Sequence, residues 1–179
     1  MNEGLNRKSS DNARGYSLWL KADRSTSIEI QAAIDGLCKR LNAPHFSPHI
    51  TLLGQLDSDE EAVRLKTHEL ANRTKPFEVV ATEIDFQDVF FRSMFLKISE
   101  TDALMDLNSA ARKIFDRQAD QPFFPHLSLL YSYESRLSKL QASNDVNLNL
   151  PKTFKITGME IIRTFGQVQD WNLIQKIEL

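Results

Sequence analysis

Residues 16–23 read YSLWLKAD, an aromatic and aliphatic run that predicts a strand. The next stretch, STSIEIQAAIDGLCKRLN, changes period. Ile30, Ala33, Ile34, Leu37 and Leu41 recur at helical spacing, and Thr26 and Glu29 are spaced as a capping box. Asn42 and Pro44 end that helix, and residues 47–55 are written as a strand. Ser58 and Glu61 predict a second capping box, for a charged helix running to about Arg73. After Pro76, FEVVATEIDF alternates like a strand, and VFFRSMFLKIS predicts extended chain that turns near Arg92 and Ser93.

From there the order repeats. MFLKIS at 94–99 predicts a strand, and a helix follows from about Thr101 to Gln118 with Leu104, Leu107, Ala111 and Ile114 on one face. Pro122 and Pro125 then lead into another strand. A displacement of 77 residues lays Ile30, Ala33, Ile34 and Leu37 on Leu107, Ala110, Ala111 and Ile114, and one of 76 lays LWLK on MFLK. A strand–helix–strand unit is therefore written twice, at about 16–56 and 94–133, which predicts two lobes related by an approximate two-fold axis. Residues 143–150, SNDVNLNL, read as a loop, and KTFKITGMEIIRTF and WNLIQKIEL as closing strands. The expected fold is α+β: two antiparallel sheets facing each other across a central groove, with helices outside.

The same displacement superimposes FSPHITLLGQL (46–56) on FFPHLSLLYSY (123–133), and with them His49 on His126 and Thr51 on Ser128. Alternate residues of a strand share a face, so His49 projects with Thr51 and His126 with Ser128, while Ile50 and Leu127 turn to the core. Two imidazoles and two hydroxyls then meet across one groove. Such a set suits water attack on a cyclic phosphodiester. One proton is taken from the water and another given to the leaving oxygen, and two histidines share those roles near neutral pH. The hydroxyls donate to non-bridging phosphate oxygens, holding the phosphate in line. One His-x-Thr on a strand is weak evidence, and duplication alone would copy a structural histidine. Two copies in matching settings favour chemistry.

Composition narrows the partners. With 22 Lys and Arg against 24 Asp and Glu, the chain has net charge −2 and no clustered basic excess of the kind that grips long nucleic acid. Nucleic acid then enters only as a terminus or a nucleotide. No apolar run approaches the roughly 20 residues a membrane span needs. The polar first 15 residues read as a flexible leader, leaving 16–179 as one bilobal domain. A lone Cys38, on the core face of the first helix, fits a reducing, cytoplasmic setting and an inert thiol. His45 reads as a loop residue and His68 as solvated surface. No histidine or cysteine spacing suggests a metal, and no cofactor is expected.

With its doubled His-x-Thr/Ser motif, the chain resembles the 2H phosphoesterase superfamily. YSLWL, SPHITLLG, FFRSMFL and FPHLSLLY resemble its plant and yeast-type cyclic phosphodiesterases over about residues 16–177. The resemblance implies catalytic His49 and His126, phosphate-binding Thr51 and Ser128, and groove aromatics Trp19, Phe91 and Tyr131. Tyr131 has the wrong parity for the groove unless its strand ends or bulges before it, and Arg92 reads either as facing the phosphate or, the favoured reading, as a turn residue. The implied reactions open nucleoside 2',3'-cyclic phosphates to 2'-phosphates, and ADP-ribose 1'',2''-cyclic phosphate from tRNA splicing, without metal and in a monomer. RNA-end processing, or nucleotide binding without turnover, are the alternatives.

Overall fold

A computed structural model describes residues 13–146, 148 and 150–179. Most of the expected leader, and two positions of the 143–150 loop, lie outside the described residues. The described chain extends upstream of the expected boundary at Tyr16, because Ala13 and Gly166 exchange backbone hydrogen bonds of 3.2 Å.

The elements run β1 (Tyr16–Ala22), α1 (Arg24–Leu41), β2 (Ile50–Leu56), α2 (Glu60–Ala71), β3 (Phe77–Phe86), β4 (Met94–Ile98), α3 (Asp102–Ile114), β5 (His126–Leu130), α4 (Arg136–Asp145), β6 (Thr153–Arg163) and β7 (Asn172–Glu178). Both predicted capping boxes are corrected. Asp23 caps α1 and Asp59 caps α2, each carboxylate accepting from the backbone N–H three residues on. A carboxylate at the N-cap suits the exposed N–H groups and the helix dipole better than the hydroxyls further along. The turn before β4 is one 3₁₀ turn, Phe90–Arg92. α4 went unread because its polar sequence buries only Lys139 and Ala142 and carries little helical periodicity.

The predicted pair of separate sheets is one sheet of seven strands in the order β1-β2-β5-β4-β3-β6-β7. A further β1–β6 pairing closes six of them into a ring. β6 makes this possible. Its first residues, Thr153 to Ile156, pair with β3, and from Gly158 onward the same side pairs with β7, while β1 lies along the other side. The two halves remain legible within that sheet. Trp19 opposes Thr51 and Leu20 opposes Ile50, while Phe95 opposes Ser128 and Leu96 opposes Leu127. These registers are equivalent under the repeat. The halves join where Ile50 pairs with Leu127, two equivalent residues meeting antiparallel, as a local two-fold axis requires.

Burial sets which face does what. Leu18, Leu20, Ile50, Leu52, Leu127 and Leu129 are at most 2% exposed and face the helices. Ile30, Ile34 and Leu37 of α1, and Leu104, Leu107 and Ala111 of α3, close over them. Each large aliphatic side chain so buried contributes roughly 1.5–3 kcal/mol of transfer free energy. Ala110, laid on buried Ala33 by the repeat, is exposed instead. Cys38 is buried, its thiol donating to the Pro44 carbonyl at 3.2 Å, and burial pushes its pKa up to about 11. His68 is half-buried against Gln175 at 2.7 Å rather than solvated.

Candidate active site

The opposite, inward face of the sheet forms a cleft of about 320 Å³. Its wall includes His49, Thr51, His126 and Ser128, the four residues singled out by the repeat, together with Trp19, Phe91 and Tyr131. No carboxylate lines it among the described residues, whereas Arg92 does. Two histidines, an arginine and hydroxyls, with no opposing negative charge, make a wall suited to an anion.

Both imidazoles are oriented in the same way. His49 Nδ1 lies 2.7 Å from the Ser47 carbonyl and His126 Nδ1 lies 2.8 Å from the Phe124 carbonyl. A carbonyl only accepts, so each Nδ1 carries the hydrogen and each Nε2 is left with a lone pair. Ser47 and Phe124 are equivalent under the repeat, so the orienting device was copied with the histidine. The backing aromatics are copied too. Trp19 lies flat on His49, with centroids 3.5 Å apart and 4° between planes, and Phe95 meets His126 edge-on at 5.5 Å.

The surroundings then differ. His49 is 4% exposed, and burial drives its pKa down to about 3 against the opposing pull of the Ser47 carbonyl; the charges of Lys21 and His126 lower it further. His126 is half-buried, and burial and the Arg92 guanidinium lower its pKa while the Phe124 carbonyl opposes them. In the unliganded protein His49 is therefore neutral, and an anion beside it would favour its protonation. The hydroxyls differ as well. Ser128 donates to the Phe91 carbonyl at 2.8 Å, whereas Thr51 has no hydrogen-bond partner among the described residues.

Tyr131 enters the cleft because β5 stops at Leu130, which removes the parity objection. Its hydroxyl lies 3.4 Å from His49 Nε2, its ring stacks on Phe46 at 3.9 Å, and burial raises its pKa. Phe91 and Arg92 sit in the 3₁₀ turn, so Arg92 is a turn residue as read, and its side chain also reaches the cleft over Phe124 at 5.7 Å. His45 stays outside, paired with Asp35 at 2.9 Å.

Sequence reading missed Trp171. It lines the cleft and meets Trp19 at 5.9 Å, Phe91 at 5.7 Å and Tyr131 at 6.1 Å, and its buried Nε1 has no hydrogen-bond partner among the described residues. It lies just before β7, outside the repeated unit, so the duplication gave no signal for it. Ser17 and Thr164 were also missed; Ser17 shares Trp19's strand face, which is the signal that marks it.

No three His, Cys, Asp or Glu side chains among the described residues are grouped to hold a metal ion. No helix among them is long and apolar enough to cross a membrane.

A 2',3'-cyclic-nucleotide 3'-phosphodiesterase of Phaeosphaeria nodorum is 30% identical over 160 residues, covering 75% of this chain and 82% of that protein. A cyclic phosphodiesterase of Arabidopsis thaliana is 22% identical over 117 residues, 65% of each chain. Among solved structures, the protein TT0787 of Thermus thermophilus has a TM-score of 0.62 at 16% identity, covering 92% of this chain and 97% of that one. Apo LigT of E. coli has a TM-score of 0.58 at 14% identity, covering 94% and 98%. These two share the fold. The family described as cyclic phosphodiesterase-like protein matches residues 14–179, so the chain belongs to that family of 2H phosphoesterases and is a phosphoric diester hydrolase.

Proposed function

We propose that the protein hydrolyses 2',3'-cyclic phosphates of small nucleotides to 2'-phosphates, with His49 and His126 as the acid–base pair and no metal ion. The observation that carries the reading is the pair of imidazoles in one carboxylate-free cleft, each with Nδ1–H donated to a backbone carbonyl and Nε2 left for proton transfer. Water attacks phosphorus on the side opposite the 3'-oxygen. One Nε2 takes the water's proton as the P–O bond forms. The other, protonated, gives its proton to the 3'-oxygen as the second P–O bond breaks. Each such group typically contributes on the order of 10²–10⁴-fold.

The Thr51 hydroxyl, without a hydrogen-bond partner among the described residues, donates to a non-bridging oxygen and stabilises the charge that builds there. Ser128 does the same once it turns from the Phe91 carbonyl. Arg92 adds positive charge at the same wall. The name of the Phaeosphaeria nodorum relative specifies the 3'-ester, which supports loss of the 3'-oxygen and a 2'-phosphate product here. A cleft of about 320 Å³ lies at the small end of the roughly 300–1,000 Å³ common for small-molecule sites, favouring a nucleotide over an RNA duplex. Phe91 and Trp171, both half-buried at the cleft wall, offer surface for a base or ribose, while Trp19 and Tyr131 are buried and stacked on His49 and Phe46; stacking one base gives roughly 1–3 kcal/mol. ADP-ribose 1'',2''-cyclic phosphate presents the same reacting group and falls within the reading.

Incubation with adenosine 2',3'-cyclic phosphate, with and without a chelator, tests this through chromatography of the products. Adenosine 2'-phosphate formed at equal rates in both arms is the expected result. Loss of turnover with chelator removes the metal-free mechanism, and adenosine 3'-phosphate as product reverses the leaving oxygen. Turnover confined to oligonucleotides bearing the same end would make the protein an RNA-end enzyme.

A further inference from the structure

The repeat places a lysine two residues after each backing aromatic, Lys21 after Trp19 and Lys97 after Phe95. The two copies have taken different partners. Lys97 turns to exposed carboxylates of β3, 2.8 Å from Glu83 and 3.0 Å from Asp85. Lys21 turns to the segment that carries His49. Its ammonium donates to the Pro48 carbonyl at 2.6 Å and to the Ser47 hydroxyl at 2.9 Å, and it pairs with Glu160 of β6 at 3.5 Å. Glu160 is 8% exposed and also pairs with Lys176 of β7 at 3.5 Å.

Ser47 is the residue whose carbonyl receives His49 Nδ1–H. One ammonium therefore ties together two neighbouring residues, and the backbone between them sets the direction of the imidazole. At the other histidine no ammonium does this among the described residues: the Phe124 carbonyl receives His126 Nδ1–H, the Pro125 carbonyl accepts from the backbone N–H of Ile98 at 3.1 Å, and the Arg92 guanidinium stands over the Phe124 ring at 5.7 Å.

We propose that Lys21 is a positioning residue for His49, a clamp on Ser47 and Pro48 anchored to Glu160, and that its counterpart Lys97 has no such role at His126. This rests on the reading of His49 as one of the proton-transfer pair. The clamp fixes where Nε2 points, and its positive charge also disfavours a charged His49. The titratable or charged groups around His49 are Lys21 on β1, His126 on β5 and Tyr131 just after it, with Arg92 of the 3₁₀ turn on the same cleft wall; Glu160 on β6 and Lys176 on β7 stand behind Lys21. A displacement of the reacting group by about 1 Å is enough for a loss on the order of 100-fold, so a loosened clamp is read in kcat.

The test compares Lys21→Met with Lys97→Met. Nitrogen-detected NMR of the imidazoles in the unliganded protein reports tautomer and titration of each histidine without any need for turnover. Lys21→Met is expected to move the His49 titration to higher pH and mix its tautomers, leaving His126 in place. With adenosine 2',3'-cyclic phosphate, kcat should fall about 10-fold or more with KM within about twofold, and Lys21→Arg should recover most of it. Lys97→Met should match the parent in both readouts. If Lys21→Met melts before the assay temperature, Lys21→Gln, which keeps a neutral donor, is read in its place. An unmoved His49 spectrum overturns the clamp, and a change confined to KM makes Lys21 a substrate contact instead. A parent protein that lacks turnover refutes the catalytic reading while leaving the NMR comparison to decide the clamp.

Discussion

At the scale of single residues, the two halves of the cleft share their parts but not their surroundings. His49→Ala and His126→Ala should each lower kcat by about 10²–10⁴-fold with small changes in KM, measured by steady-state turnover of adenosine 2',3'-cyclic phosphate. The hydroxyls should separate. Thr51→Val removes a donor that has no partner among the described residues, so its loss is expected in kcat. Ser128→Ala also frees the Phe91 carbonyl and loosens the aromatic turn, so KM should rise as kcat falls. Burial of His49 bears on stability as well. Its folded pKa, about 3, lies below the roughly 6.5 of an unfolded histidine, so between those values the unfolded chain binds the extra proton. Stability should therefore rise with pH across that window and level off above it. Urea unfolding from pH 4 to 7 checks this, and His49→Phe should flatten the slope.

Elements supply the positions. β1 and β2 bring Trp19 and Thr51 opposite each other, and β4 and β5 do the same for Phe95 and Ser128, so a register slip of one residue would turn these groups into the core. α4 is the element whose contribution was hidden. Lys139 is 1% exposed, and its ammonium donates to the Gln87 carbonyl at 3.1 Å, just ahead of the turn carrying Phe91 and Arg92. Lys139→Met should leave most of the fold intact but raise KM more than it lowers kcat, since it frees a wall of the cleft rather than an imidazole. The caps give a plainer case: Asp23→Ala removes the side-chain acceptor for Thr26 N–H and should cost about 1 kcal/mol in chemical denaturation.

The whole molecule is tied by β6. Because its beginning pairs with β3 and the rest with β1 and β7, one strand couples the two halves of the sheet, so opening either half exposes an edge of the other. Calorimetry should show one transition, with calorimetric and van't Hoff enthalpies equal, although the sequence is written as a duplication. Two resolved transitions would show that the halves fold as separate units. Closure also constrains Gly15, whose φ of +80° is left-handed and whose Cβ, if present, would collide with the Leu56 carbonyl. Gly15→Ala should lower the melting temperature while leaving the cleft residues unchanged in identity and spacing.

Local pattern was enough to determine much of this protein. Strand period, helical spacing and a copied Phe-x-Pro-His-x-Thr/Ser stretch put His49 with Thr51 and His126 with Ser128 on one strand face, because side-chain direction along a strand follows from position alone. Tertiary structure decided what no local pattern encodes. It ended β5 at Leu130 so that Tyr131 enters the cleft, and it brought Trp171 in from outside the repeat. It sent Lys21 and Lys97 to different partners and buried His49 more deeply than His126. Contacts between residues distant in the chain set burial and pairing, so two copies of one sequence motif acquire different chemistry once each half is packed against different neighbours.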